Sequence, residues 1–206
     1  MSRRFDPTEA QLDLLIAAYE RFAPFDQHMI DAFKKVHTGV RISKGERWLS
    51  VGERCEHVAF VVSGLLHMFY EVDGKVTSIE FSFENGITAD YDSFLRQAPA
   101  RVNIEALEDA ELLVMSFEGM QWLYEHVPGS DRIGRRVAEF LFMAVSAKND
   151  AFILDPPEQR YLTLLTTRPK LMQRVPLYLI ASYLGVTPEA LSRIRRRLAQ
   201  QGTKTS

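Results

Sequence analysis

The segment 177–196 constrains the fold more than any other part of the chain. It reads LYLIASYLGVTPEALSRIRR, and its apolar residues predict two short helices joined by a tight turn. Ala181 is small enough to stand where two crossing helices touch, and Gly185 can take the positive φ that the turn needs. Thr187 is a good N-cap for the second helix, and Pro188 fits its first position. We therefore predict a helix-turn-helix pair here.

The second helix of this pair, predicted over residues 188–198, carries its polar side chains away from a buried stripe. At about 100° per residue, that stripe contains Leu191, Ile194 and Leu198. Polar residues fall opposite the stripe or on its flanks: Glu189, Ser192, Arg193, Arg196, Arg197 and Gln200. Because arginine pairs with guanine and glutamate with the cytosine amino group, this row can read base edges in a major groove. Arg195 and Arg197 lie toward the sides and suit phosphate contacts.

Charge is divided unevenly along the chain, although the total is only −2. Residues 1–155 hold 16 Lys and Arg against 25 Asp and Glu, a net charge of −9. Residues 156–206 hold 9 against 2, a net charge of +7. A basic segment that carries a helix-turn-helix pattern indicates double-stranded DNA as its partner. The alternative is a small-ligand-binding module whose C-terminal domain is a contact surface for another protein.

The first half of the chain predicts helices followed by a small β structure. Apolar residues recur at helical offsets between Thr8 and Val36, with Pro24 separating two runs. From residue 48 to residue 116, short runs rich in Val, Ile and Phe are separated by Ser63-Gly64, Asp73-Gly74 and Asn85-Gly86. Such dipeptides are hairpin signals, so we predict a small antiparallel barrel or sandwich.

Heptad spacing marks a long helix between Pro128 and Asp155. Apolar residues recur there at alternating offsets of four and three: Ile133, Val137, Phe140, Ala144, Ala147, Ala151 and Leu154. Such a seam predicts self-association, and its alanines allow two backbones to approach closely. The alternative is a helix that packs on its own domain, which produces the same offsets. Asp155-Pro156-Pro157 ends the helix, so the chain divides into residues 1–127, 128–155 and 156–206.

These patterns resemble the CRP/FNR family of bacterial transcription regulators. Gly64, Gly74 and Gly86 match the glycine-broken strands of the family's sensor, and residues 189–193 match its E-x-x-S-R pattern. The resemblance implies an α+β fold with a jelly-roll-like antiparallel β-roll sensor and flanking helices over residues 1–127. A dimerisation helix over 128–155 and a helix-turn-helix DNA-binding domain over 156–206 would follow.

The resemblance also implies a function and a set of site residues. The protein would be a cytoplasmic homodimer that binds a pseudo-palindromic operator, with RNA polymerase as a further partner. Three residues would read bases: Glu189, Ser192 and Arg193. Four would support the contact or touch phosphate: Thr187, Arg195, Arg196 and Arg197.

The effector site departs from the family pattern. Members that bind cyclic nucleotides carry Gly-Glu, whose glutamate holds the ribose hydroxyl, and then an Arg followed by Ser or Thr, which neutralises the cyclic phosphate. Here the first pair aligns with Ala89-Asp90, and the second region reads Pro99-Ala100-Arg101-Val102. Asp90 is shorter than glutamate, and the side chain of Val102 cannot donate a hydrogen bond to phosphate. We therefore expect no cyclic nucleotide and no cofactor, with Asp90 and Arg101 as the candidate residues for an effector of unknown identity.

Other chemistry lacks the residues that it needs. The five histidines form no H-x-x-x-H or H-E-x-x-H pair for a metal, and neither a G-x-S-x-G elbow nor a P-loop pattern is present. A single cysteine, Cys55, excludes an intrachain disulfide and the iron–sulfur ligation of the FNR branch. No apolar run reaches the roughly 18 residues of a membrane-spanning helix. We expect a regulator without enzymatic activity, metal or membrane association.

Overall fold

The computed structural model describes residues 3–202, which form two compact units. Within these residues, the first unit comprises 3–70 and 80–141, and the second comprises 71–79 and 142–202. The domain boundaries at 127/128 and 155/156 stay predictions. None of the described helices is long and apolar enough to cross a membrane.

Nine strands form two antiparallel sheets in the described residues, which confirms the predicted α+β class with a β-roll. The strands are β1 (Arg3–Phe5), β2 (His37–Ile42), β3 (Arg47–Leu49), β4 (His57–Ser63), β5 (Leu66–Val72), β6 (Lys75–Ser82), β7 (Ile87–Thr88), β8 (Asn103–Ala106) and β9 (Ala110–Ser116). One sheet has the order β1-β2-β9-β4-β7 and the other has the order β3-β8-β5-β6. In the first sheet, Gly39 on β2 and Phe60 on β4 both stand opposite Leu113 on β9.

The turns between strands follow from residues that tolerate positive φ. Asp73 and Gly74 have φ of 51° and 73°, as a two-residue hairpin turn requires, and Asn85 has φ of 65°. Gly64 has φ of +93°, and a Cβ there would lie 2.5 Å from the Asp109 carbonyl oxygen. These three turns fall on the dipeptides that the sequence marks as hairpin signals.

Five helices flank the strands of the first unit or continue from it. They are α1 (Glu9–Glu20), α2 (Gln27–Val36), α3 (Tyr91–Arg96), α4 (Phe117–His126) and α5 (Ser130–Leu154). Thr8 caps α1 by accepting from the Gln11 N–H at 3.3 Å, while the Gln11 side chain accepts from the Thr8 N–H. The core joins Leu15 of α1 to Phe60, Ile104 and Leu113 of the strands, all at most 1% exposed. The first turns of α5 also pack into this core.

The second unit contains four further helices and the tip of the β5–β6 hairpin. They are α6 (Pro157–Thr167), α7 (Pro169–Arg174), α8 (Leu177–Tyr183) and α9 (Pro188–Gly202). Pro156 and Pro157 begin α6, because proline fits the first turn of a helix and cannot continue the preceding one. A small core of Tyr161, Leu164, Leu171 and Val175 holds α6 and α7 together.

Candidate nucleic-acid interface

The turn between α8 and α9 has the geometry that its sequence predicts. Gly185 has φ of +69°, and a Cβ there would also lie 2.7 Å from the Phe152 ring. The Val186 N–H donates to the Ala181 carbonyl oxygen at 3.0 Å, which closes the turn behind α8. Any residue other than glycine at position 185 would meet both backbone strain and an aromatic ring.

Five apolar residues pack the two helices against each other. They are fully or almost fully buried: Ile180, Ala181, Leu184, Leu191 and Ile194. Ala181 is 0% exposed, so its methyl group fills the close approach between the helices. The position of α9 is therefore fixed through its packing on α8.

The opposite side of α9 is open to solvent. Glu189, Ser192, Arg193, Arg195 and Arg196 all have exposed side chains. The Thr187 hydroxyl accepts from the Ala190 N–H at 3.2 Å, so it caps the helix at the residue before Pro188. The structure thus gathers the predicted base-reading residues on one open helical face.

The charges of this face are shaped by local contacts. The pKa of Glu189 is lowered by a hydrogen bond from its own backbone N–H, then by the Thr187 hydroxyl and by the charge of Arg193. Glu189 is therefore an ionised acceptor at neutral pH. Arg197 forms an ion pair with Glu158 of α6, so this predicted phosphate contact is already engaged.

The predicted effector residues come together, but in a structural contact. Asp90 caps α3, with one carboxylate oxygen accepting from the Ser93 N–H at 3.2 Å and the other from the Arg101 N–H at 3.3 Å. The Arg101 side chain is exposed, and Val102 is buried with 5% exposure. Each oxygen of Asp90 thus accepts one backbone N–H, so this side chain holds the loop that leads from α3 to Arg101. The contact between Asp90 and Arg101 therefore runs through the Arg101 backbone and does not involve its guanidinium.

Cys55 lies behind this loop and is an unreactive thiol. Its N–H donates to the Ser93 hydroxyl at 3.0 Å, and that hydroxyl donates to the Ala98 carbonyl oxygen at 2.5 Å. Burial raises the pKa of the Cys55 thiol to about 11. Among the described residues, no group of three or more His, Cys, Asp and Glu side chains is placed to hold a metal ion.

The predicted dimer seam divides into two parts along α5. Ile133 and Val137 are 1% and 7% exposed and belong to the core of the first unit. From Phe140 onward most of the seam is exposed: Phe140 is 48% exposed, Leu154 is 76% exposed, Ala144 and Ala147 are exposed, and Ala151 is half-buried. Other large apolar side chains are exposed on the same stretch: Phe142, Met143, Val145 and Ile153. The free part of the seam therefore runs over residues 140–154.

Two residues that sequence reasoning missed also bear on the interface. Ser182 hydrogen-bonds the backbone of β6, and Arg160 hydrogen-bonds the carbonyl oxygen of Leu184 in the turn before α9. No sequence pattern around Arg160 indicates that it contacts the turn before α9. In the sequence, Ser182 resembles any polar residue of a short helix, and nothing near it indicates a contact with β6.

Residues 40–126 match the family model of the cyclic nucleotide-binding domain. A comparison with curated protein sequences finds no match.

Solved structures share the fold over most of the chain. FixK2 from Bradyrhizobium japonicum has a TM-score of 0.67 at 20% identity, covering 81% of this chain and 86% of FixK2. CLP of Xanthomonas campestris, described as a c-di-GMP-responsive global regulator, has a TM-score of 0.67 at 19% identity, with 86% and 93% covered. A protein from Eubacterium rectale, described as a transcriptional regulator of the crp/fnr family, has a TM-score of 0.68 at 14% identity, with 90% and 89% covered.

Proposed function

We propose that this protein is a homodimeric, DNA-binding transcription regulator. The premise is that residues 40–126 match the cyclic nucleotide-binding domain and that the chain has the fold of CRP/FNR regulators. Each protomer places α9 in a major groove, and the dimer binds a pseudo-palindromic site whose half-sites lie about one helical turn apart. The protein regulates through binding and is not an enzyme.

The observation that carries this proposal is the exposed face of α9. Glu189, Ser192 and Arg193 are open to solvent, while Leu191 and Ile194 bury the other side against α8. Arg193 can pair with guanine through two hydrogen bonds, and ionised Glu189 can accept from a cytosine amino group. Arg195 and Arg196 supply positive charge for phosphate, with Arg197 available only when it leaves Glu158.

The open part of the α5 seam supports a homodimer. A protomer alone leaves large apolar side chains exposed over residues 140–154, and contact between two protomers would remove this apolar surface from water. Ala144, Ala147 and Ala151 let the two helices approach closely at the centre of the contact.

The sensor works without cyclic AMP in this proposal. The carboxylate of Asp90 is committed to the Ser93 and Arg101 N–H groups, and the buried Val102 offers no donor. The alternative function, a ligand-binding module with a protein contact in place of DNA, stands as an outcome of the test below.

The decisive experiment compares two arginines of α9 in a binding assay. Duplexes selected by the wild-type protein from a random library serve as operators, and binding is followed by fluorescence anisotropy at several salt concentrations. Arg193→Ala should weaken binding by about 1–3 kcal/mol and relax preference at one base pair of each half-site. Arg196→Ala should weaken binding to all sequences alike and reduce the salt slope by about 0.9 for each phosphate that this arginine neutralises.

The control is Arg96→Ala, which removes an arginine of the first unit that pairs with Asp92 on the surface. This variant should bind as the wild type does. Unchanged affinity and unchanged base preference in Arg193→Ala would show that the docking is wrong. A wild-type protein that selects no duplex even at low salt favours the protein-contact alternative.

A further inference from the structure

The tip of the β5–β6 hairpin, residues Glu71–Ile79, belongs to the same compact unit as the helices α6 to α9. β6 stands at the edge of its sheet, where N–H and C=O groups lack a neighbouring strand. The Ser182 hydroxyl of α8 donates to the Val76 carbonyl oxygen at 3.1 Å and accepts from the Ser78 N–H at 2.9 Å. One hydroxyl thus replaces the two hydrogen bonds that a further strand would make.

A second contact joins the same hairpin to α5 and α8. The Lys148 ammonium donates to the Ile79 carbonyl oxygen. It also lies 4.0 Å from the centroid of the Tyr183 ring, within the range of a cation–π contact. The hairpin is therefore held at neighbouring positions, with Val76 and Ser78 bound by Ser182 and Ile79 bound by Lys148.

Arg160 of α6 holds the turn that follows α8. Arg160 donates to the Asp155 carbonyl oxygen at 2.6 Å and to the Leu184 carbonyl oxygen at 2.8 Å. Its guanidinium also lies 4.8 Å from the centroid of the Phe152 ring. The C-terminal end of α8 is therefore held by side-chain hydrogen bonds at two places, through Ser182 and through Arg160.

We propose that the hairpin tip is a positioning element for the DNA-reading helix and that Ser182 is the positioning residue that joins them. The inference rests on the proposed function. Because α9 packs on α8, fixing α8 also fixes the direction of α9. In a homodimer that direction determines which separation of half-sites is read. Loss of the Ser182 hydroxyl loosens α8, and the dimer then accepts more than one separation.

The test measures how strictly the dimer requires one half-site separation. It uses the duplexes selected by the wild-type protein, with the centre lengthened or shortened by one base pair. The affinity of the wild type for each altered duplex should be about tenfold or more below its affinity for the selected duplex. The same ratio for Ser182→Ala should be less than about threefold, because losing two hydrogen bonds weakens the positioning of α8 and so the preference for one separation. Ser182→Thr keeps the hydroxyl and should restore the wild-type preference.

Ser43→Ala is the matched control, since Ser43 is an exposed serine of the first unit. Amide hydrogen exchange supplies a readout that needs no DNA, because the Ser78 N–H should exchange faster in Ser182→Ala than in the wild type. Lys148→Met gives a second variant, with the same expected loss of spacing preference, if Ser182→Ala fails to fold.

The outcomes separate the two proposals. A spacing preference that stays within about twofold of the wild type in Ser182→Ala overturns the positioning role. Unchanged protection of the Ser78 amide overturns it as well, whether or not the protein binds DNA. Failure of the wild type to bind any duplex, with faster exchange in Ser182→Ala, defeats the proposed function and leaves the hairpin contact intact.

Discussion

Residue His37 lies at the start of β2 with its imidazole buried beside the ring of Phe33. Its Nδ1 donates to the Phe33 carbonyl oxygen at 2.7 Å, since a carbonyl can only accept. Burial lowers the pKa of His37 to about 4, against the smaller opposing effect of that hydrogen bond. The folded protein thus holds this histidine neutral where the unfolded chain would be protonated.

This burial predicts a pH dependence of stability. Between pH 6.5 and about 4 the unfolded state binds more protons, so the free energy of unfolding should fall as pH falls, by up to about 1.4 kcal/mol per pH unit for one histidine. His37→Gln should remove that share of the slope in urea unfolding followed by circular dichroism. Above about pH 7 the difference in free energy of unfolding between the wild type and His37→Gln should no longer change with pH. A slope that is equal in both would contradict a buried neutral His37.

For single residues, the sequence predicts the features that depend on near neighbours in the chain, such as helix caps and turn glycines. Thr187 at the N-cap and Gly185 at positive φ follow from preferences that hold within a few residues. Ser182 does not, because its partners Val76 and Ser78 are 106 and 104 residues away in the chain. The role of Asp90 as a cap is likewise hidden, since an aspartate in a loop can hold a ligand or its own backbone.

Among the elements, α5 carries one heptad pattern over two stretches that differ in burial. Its first turns bury Ile133 and Val137 in their own core, while residues 140–154 stay open. The spacing of apolar residues is the same in both stretches, so the sequence could not separate a core helix from a dimer seam. The strands and hairpins were predictable from their glycine turns, whereas α3, with six residues, is too short to show a helical period.

The open stretch of α5 predicts that one substitution should abolish the dimer. Ala147→Glu places a carboxylate in the seam, and burying an unpaired charge costs several kcal/mol, so the dissociation constant should rise at least about 100-fold. Ala147 is exposed in the single chain, so the protomer should keep its fold. Multi-angle light scattering over a range of concentrations measures the change.

Asn149→Glu is the matched control for this substitution. Asn149 lies about 200° around the helix from Ala147 and is exposed, so the same charge there should leave the dimer intact. A wild-type protein that stays monomeric at every concentration would refute the seam.

At the scale of the whole molecule, residues 40–126 match the cyclic nucleotide-binding domain, while the carboxylate of Asp90 accepts from two backbone N–H groups. A ligand that binds only the folded state raises its stability, by about 2.7 kcal/mol at a hundred times the dissociation constant. We therefore predict that cyclic AMP at about 1 mM leaves the thermal midpoint of unfolding unchanged. The measurement is differential scanning fluorimetry, with AMP at the same concentration as the control. A rise of several degrees with cyclic AMP alone would contradict the prediction.

The ion pair between Arg197 and Glu158 has a consequence for how the molecule responds to salt. In the proposed DNA complex, a phosphate that reaches Arg197 must displace the Glu158 carboxylate. Salt screens the Arg197–Glu158 pair and an Arg197–phosphate pair alike, so exchanging one for the other should add little to the salt slope. Glu158 therefore occupies Arg197 as a phosphate would, and the proposed DNA complex should release fewer ions than the number of basic residues on α9 suggests.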